Sequence, residues 1–233
     1  MIEARPAERR QDRAAADGVP DGLSTPAYPF SERREMLAFV PAAAKRILDV
    51  GCGPGGFGAA LRQEGRHREV WAVDADPEVA AKASTHYDRM LVGSFPLALA
   101  GVAERFDCIV FNDVLEHMVD PWSALRAARS LLARDGVVVA SIPNVRNLRV
   151  VLDLVVRGRW TYVDIGILDR THVRFFTASS IRSFFADCGF TVDRLRGINA
   201  VGQSSRLFGR LPRLVLGEFA FTGFAVEASP VDA

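Results

Sequence analysis

The most restrictive feature of this chain is a short apolar run that ends abruptly in glycine. Arg46-Ile47-Leu48-Asp49-Val50 meets Gly51-Cys52-Gly53-Pro54-Gly55-Gly56, and a small-residue helix follows through Leu61 until Gly65 stops it. The alternation then recurs. Val70-Trp71-Ala72-Val73 reads as a buried strand, and Asp76-Pro77 gives an N-cap and first-turn proline to a helix carrying Val79, Ala80 and Ala83. Met90-Leu91-Val92 is a third strand and Phe106-Asp107-Cys108-Ile109-Val110-Phe111 a fourth. Asp120-Pro121 repeats the capping signal for a helix with Trp122, Leu125, Ala128 and Leu132, closed by Gly136, before Val137-Val138-Val139-Ala140-Ser141-Ile142 forms a fifth strand. These strands are apolar along most of their length rather than at every second residue, which implies a parallel sheet covered on both faces. The expected class is a doubly wound α/β fold.

The flanking segments are less regular. Residues 1–27 lack a periodic apolar face and contain Pro6, Pro20 and Pro26, so they read as a flexible tail. The stretch 32–40 reads as an amphipathic helix capped by Ser31, and 147–156 as another helix. Thr177 caps a helix presenting Ile181, Phe184, Phe185 and Cys188, which Gly189 ends before a strand from Phe190; 218–227 alternates as a final, antiparallel strand. With 233 residues, one domain over 28–233 is expected, carrying insertions on its active face at about 144–175 and 198–216.

Composition excludes several classes. Hydrophobic residues at 49% and charged residues at 24% rule out a wholly disordered or collagenous chain. Cys52, Cys108 and Cys188 show neither a disulfide framework nor metal-ligand spacing, which fits a reducing, cytoplasmic setting. No stretch approaches the roughly 18 apolar residues of a membrane span, and the first residues hold no apolar signal region.

The glycine cluster satisfies G-x-G-x-x-G between a strand and a helix, where a ligand can approach backbone amides closely. Asp74 ends the second strand and offers a carboxylate to ribose hydroxyls, so an adenosine-type cofactor follows. A plain tight turn with a solvated Asp74 is the bland alternative. A dinucleotide needs its pyrophosphate held at the loop, whereas S-adenosyl-L-methionine presents an ammonium and a sulfonium; Asp49, two residues before Gly51, favours the cation and repels the pyrophosphate. The loop lacks the Lys-Ser/Thr ending that triphosphate binding requires.

Ile47-Leu48-Asp49-Val50-Gly51-Cys52-Gly53-Pro54-Gly55 strongly resembles the first motif of class I S-adenosylmethionine-dependent methyltransferases, and Val73-Asp74 resembles their second. The resemblance continues through Asp113-Val114-Leu115-Glu116-His117 and Gly136-Val137-Val138, and covers roughly residues 30 to 230. It implies a Rossmann-like sheet of seven strands, the last antiparallel. It also implies that Asp49 and the backbone of Gly51, Cys52 and Gly53 face the methionine portion, that Asp74 binds ribose, and that Asn112, Asp113 and Val114 border the sulfonium. Ser94 stands where the family often has an Asp near the adenine amine.

On the acceptor side, a hydroxyl acceptor calls for a general base, and His117 and His172 are the best placed titrating residues. The alternative for each is a hydrogen bond that fixes its loop. The run 166–177, containing Asp169-Arg170-Thr171-His172, resembles a segment of the ubiquinone-biosynthesis O-methyltransferase-like group. Some relatives hold a divalent metal with a Glu-x-x-Glu-His motif; here Asp113 takes the first position, with Glu116, His117 and His172 completing the set. The stretch 146–213 carries twelve Arg and five Asp with no Lys or Glu, a surplus of +7 in a chain of net charge +1. That surplus points to an anionic small molecule or, with Leu207, Phe208 and Leu214-Val215-Leu216 interleaving the arginines, to a lipid-linked acceptor. Nucleic acid is disfavoured, because Asn112-Asp113-Val114-Leu115 lacks the Asn-Pro-Pro-aromatic signature of base methyltransferases. The readings kept beside methyl transfer are an NAD(P)-dependent oxidoreductase and a non-catalytic methyltransferase-like binding module.

Overall fold

The computed structural model describes residues 29–200 and 216–231. Seven strands form one sheet: β1 (Arg46–Val50), β2 (Glu69–Asp74), β3 (Arg89–Val92), β4 (Phe106–Asn112), β5 (Leu132–Pro143), β6 (Phe190–Ala200) and β7 (Phe221–Pro230). Their order is β3-β2-β1-β4-β5-β7-β6, with β7 antiparallel to both its neighbours and the rest of the pairings parallel. The winding reverses between β1 and β4, which opens a crevice beyond their carboxyl ends.

Helices cover both faces: α1 (Arg34–Leu37), α2 (Gly56–Gln63), α3 (Pro77–Ala83), α4 (Pro121–Leu131), α5 (Leu148–Arg157) and α6 (Ala178–Asp187). Alternate strand residues explain why both faces must be apolar. Leu48, Val50, Ile109 and Phe111 pack with Leu125, Ile181 and Phe185 on one side, while Ile47, Cys108 and Val110 pack with Met36, Phe57 and Leu61 on the other. Fully burying each large side chain stabilises the fold by about 1.5–3 kcal/mol.

Helix starts follow the capping residues. Asp76 accepts from the amides of Glu78 and Val79, Asp120 from that of Ser123, and Thr177 forms a capping box with Ser180. Three expected boundaries move. Ser31 does not cap α1; Arg33 occupies that position with φ 46°, and the Ser31 carbonyl instead lies on Gly56, where a Cβ would approach it to 2.1 Å. The helix expected to run through Leu132 to Gly136 ends at Leu131, because Gly136 is needed for a close backbone pass: a Cβ there would sit 2.7 Å from the Phe106 carbonyl oxygen. The last strand starts at Phe221 rather than 218, since 217–220 forms a 3₁₀ turn. The expected tail 1–27 and most of the insertion at 198–216, including Arg206, Leu207, Phe208, Arg210, Arg213, Leu214 and Val215, lie outside the described residues. Among the described residues no helix is long and apolar enough to cross a membrane.

Candidate active site

The crevice floor is the turn after β1. Gly51, Gly53 and Gly55 all have positive φ, at 66°, 53° and 87°. A Cβ on Gly51 would lie 2.7 Å from Val114, so that glycine lets the β4 loop close over the turn; a Cβ on Gly53 would meet only open space. Asp74 anchors this loop. Its Oδ2 accepts from the Gly53 amide at 2.9 Å and its Oδ1 from the Asp76 amide at 3.0 Å.

Asp49 lies beneath the loop and is 1% exposed. Its Oδ2 accepts a 2.6 Å hydrogen bond from the Tyr87 hydroxyl, which in turn accepts from the Gly58 amide at 3.2 Å. Burial pushes the Asp49 carboxyl up to about 7, against the Tyr87 bond that favours its ionised form. Burial and the nearby Asp49 and Asp74 also hold the Cys52 thiol protonated, so it is no nucleophile here. Ser94 follows Gly93 just beyond the end of β3.

The loop after β4 forms the other wall. Both side-chain polar atoms of Asn112 are buried without a hydrogen-bond partner. Asp113 has φ 53°, and its backbone amide donates to the Ser141 carbonyl at 3.1 Å. The Asp113 carboxylate pairs with Arg33 and accepts from the Ser141 hydroxyl at 2.8 Å; Arg33 also donates to that hydroxyl at 2.9 Å. Arg33 and Tyr87 were not among the residues singled out from sequence, because their partners lie 80 and 38 positions away. The unusual φ of Arg33 offers no signal in the sequence.

The segment between β5 and α6 delivers His172. Buried Asn144 and Asn147 donate to the carbonyl of Phe221, and the amides of Val173 and Arg174 donate to the Glu116 carbonyl at 2.9 and 3.1 Å. His172 is thereby stacked edge-on against His117, ring centroids 4.6 Å apart. Its Nδ1 lies 3.0 Å from the Ile167 carbonyl, which can only accept, so the proton sits on Nδ1 and Nε2 faces Glu116 Oε1 at 3.9 Å. His117 Nδ1 is 3.0 Å from the Thr171 hydroxyl, which donates to Asp169 at 2.7 Å. Desolvation, then the charge of His172, lowers the pKa of His117.

Glu116 is 1% exposed, and neither carboxyl oxygen has a hydrogen-bond partner. Desolvation, followed by repulsion from Asp113, raises its pKa well above the usual carboxylate range. Ligand atoms of Glu116, His117 and His172 lie within 4.8 Å of one another, a donor set of two imidazoles and a carboxylate that suits a divalent transition metal. Asp113 does not join them: its carboxylate is taken by Arg33 and Ser141, which corrects the four-residue set read from sequence.

The arginine surplus is only partly offset: among the described residues its ion-pair partners from outside the block are Glu218 and Glu227, since Asp153 and Asp164 are already counted in the +7. Arg146 pairs with Glu218, Arg157 with Asp153, Arg170 with Asp164 and Arg194 with Glu227, while Arg174 donates to the Val119 carbonyl.

Residues 25–195 match the family model of a methyltransferase domain. The chain is 33% identical over 180 residues to a ubiquinone biosynthesis O-methyltransferase of Psychrobacter arcticus, a match covering 72% of this chain and 68% of that protein. A protein of the same description from Cereibacter sphaeroides is 32% identical over 132 residues, covering 54% of this chain and 52% of the relative. Among solved structures, a SAM-dependent methyltransferase from Archaeoglobus fulgidus superposes with a TM-score of 0.62 at 17% identity, covering 84% of this chain and 90% of that one. An O-methyltransferase from neocarzinostatin biosynthesis, solved with S-adenosyl-L-homocysteine and 1,4-dihydroxy-2-naphthoic acid, superposes with a TM-score of 0.54 at 17% identity, covering 82% of this chain and 50% of that one. These matches do not favour the oxidoreductase or the non-catalytic reading. With a crevice at the sheet's switch point, a glycine loop pinned by Asp74 and a family match over most of its length, the chain belongs to the class I methyltransferase-domain family and uses S-adenosyl-L-methionine.

Proposed function

We propose that the protein methylates a hydroxyl oxygen of a small-molecule acceptor, with His117 taking the hydroxyl proton. The observation that carries this reading is the pairing of His117 and His172 immediately beyond the loop Asn112-Asp113-Val114. Asp49 and Gly51, Cys52 and Gly53 hold the methionine portion, Asp74 the ribose, Ser94 the adenine edge, and Asn112, Asp113 and Val114 the surroundings of the sulfonium. The acceptor oxygen attacks the methyl carbon, the carbon–sulfur bond breaks as the carbon–oxygen bond forms, and the sulfonium leaves as neutral thioether. The leaving group needs no proton, so alignment of donor and acceptor contributes up to roughly 7–11 kcal/mol. His172, fixed by the Ile167 carbonyl, orients the His117 ring.

The relatives' printed names support oxygen as the methylated atom and make an intermediate of ubiquinone biosynthesis one candidate acceptor. The positive surplus that remains in the 146–213 block after the Glu218 and Glu227 pairs supports an anionic or lipid-linked acceptor. One domain spans 28–233, with acceptor-side insertions at 144–175 and 198–216. Three buried free thiols support a cytoplasmic setting. The test is an acceptor screen reading S-adenosylhomocysteine, repeated with His117→Asn. The variant is expected to bind cofactor normally while kcat falls roughly 10²–10⁴-fold; an unchanged kcat contradicts the assignment.

The partnerless Glu116 carboxyl favours a second reading. Glu116, His117 and His172 would hold a divalent cation, which when bound would lower the pKa of an acceptor hydroxyl. His117 would then act as a ligand, not as the base. Loss of activity on exhaustive metal removal, restored by a divalent transition ion, selects this reading; full activity after removal selects the first.

A further inference from the structure

Tyr87 belongs to no motif, yet it is built into the floor of the crevice. It follows the 3₁₀ turn Ser84–His86, and its neighbour Asp88 pins it to β2, donating its amide to the Val70 carbonyl and accepting from the Val70 amide, both at 2.8 Å. Tyr87 is 5% exposed and its ring lies against the start of α2. Gly58 makes the room: a Cβ there would come within 2.5 Å of the ring carbons. The hydroxyl then accepts from the Gly58 amide at 3.2 Å, one of the first-turn amides that α2 cannot satisfy itself, and donates to Asp49 Oδ2 at 2.6 Å. A helix amide, a phenol and a carboxylate thus form one chain, in which each bond polarises the next. The second Asp49 oxygen, Oδ1, accepts from none of the described residues.

The titratable groups that face Asp49 are Tyr87, Cys52 in the glycine loop, Asp74 on β2 and Cys108 on β4. Burial keeps the two thiols protonated, and the Asp74 charge opposes ionisation of Asp49 as burial does. Of these groups only Tyr87 works the other way. Its own hydroxyl is held protonated by burial and then by Asp49, so it is a fixed donor. We propose that Tyr87 is a positioning residue for the cofactor: it holds the Asp49 carboxylate ionised through the hydrogen bond to Oδ2 and leaves Oδ1 to the methionine ammonium. The inference rests on the reading that Asp49 meets that ammonium. A packing role accounts for the buried ring but not for the hydroxyl, since phenylalanine would fill the same space beside Gly58 without burying an oxygen.

The experiment is calorimetric titration of the full chain with S-adenosylhomocysteine, which keeps the ammonium, across neutral pH. It compares wild type, Tyr87→Phe, Asp49→Asn and the double variant. Loss of the hydrogen bond raises the Asp49 pKa in the free protein, so more of the carboxyl must be ionised when the ammonium arrives. Tyr87→Phe should therefore bind about tenfold more weakly than wild type at about pH 6 and nearly as well at about pH 8.5. In the Asp49→Asn background Tyr87→Phe should cost nothing further. Uniform 3-fluorotyrosine, whose more acidic hydroxyl donates more strongly, should shift the profile to lower pH; this readout deletes no group and decides the matter if Tyr87→Phe does not fold. With Asp49→Asn weakened, four results overturn the proposal alone: a Tyr87→Phe loss equal at all pH values, no loss at any pH, a further loss in the Asp49→Asn background, or an unmoved profile with 3-fluorotyrosine. Asp49→Asn binding as tightly as wild type at every pH overturns the reading of Asp49 itself, and the proposal with it.

Discussion

Asp49 is a buried carboxyl that the proposed site sets against the cationic part of the cofactor, and its expected behaviour with pH follows from that proposal. Burial lifts its pKa to about 7 in the free protein, so a substantial fraction is protonated near neutrality. A bound ammonium favours the ionised form, so cofactor binding should release a proton. Affinity for S-adenosylmethionine should therefore fall as pH drops below about 7, by at most roughly tenfold per unit. Calorimetry in two buffers of different ionisation enthalpy detects the released proton; a pH-independent affinity contradicts this role. Glu116 gives a second residue-scale prediction. Its folded-state pKa is raised, so the stability it supports is fully present at acid pH and is lost as pH rises through that raised value. Glu116→Gln removes this titration, and in metal-free protein the variant should gain in melting temperature over wild type as pH increases. A difference that stays constant with pH would count against a buried, partnerless carboxyl.

At the scale of elements, capping and close approach set the predictions. Thr177→Ala removes one half of the α6 capping box and should cost about 1 kcal/mol in urea unfolding. Gly56→Ala should cost more, about 1–3 kcal/mol, because the added methyl meets the Ser31 backbone rather than a movable side chain. Equal stability of Gly56→Ala and wild type would mean that 31–33 does not rest on α2. The strands β1, β2 and β4 and the 137–142 stretch of β5 were legible in sequence because they are buried on both faces and so write largely apolar runs, whereas the edge strand β3 has no buried residue and was read from Met90-Leu91-Val92 alone. β7 was displaced by three residues because 218–220 continues its pattern while turning as a 3₁₀ helix. Arg33 was illegible for a different reason. Its value depends on a contact with Asp113 that only the folded sheet creates.

For the whole molecule, the sheet order matters more than any single motif. Placing β4 beside β1 brings the Gly51–Gly53 turn against Val114, and the insertion between β5 and α6 then returns His172 to His117 across 55 positions of chain. Asp49 and Gly51–Gly53 could be read as cofactor candidates because they lie together in one turn, while Asp74, Ser94 and Asn112–Val114 were read from their places at strand ends. The acceptor half is legible in sequence only as separate candidates, since the Glu116–His117–His172 grouping and the exclusion of Asp113 arise from long-range packing. The +7 block keeps most of its surplus in the fold, because among its ion-pair partners only Glu218 and Glu227 lie outside it. The most direct measurement is a calorimetric titration of the full chain with S-adenosylhomocysteine and, separately, with NADH. One site for the thioether nucleoside, none for the dinucleotide, and a loss of about 1–3 kcal/mol in Asp74→Ala are the predicted results. Saturable NADH binding, or an Asp74→Ala affinity equal to wild type, would contradict the account.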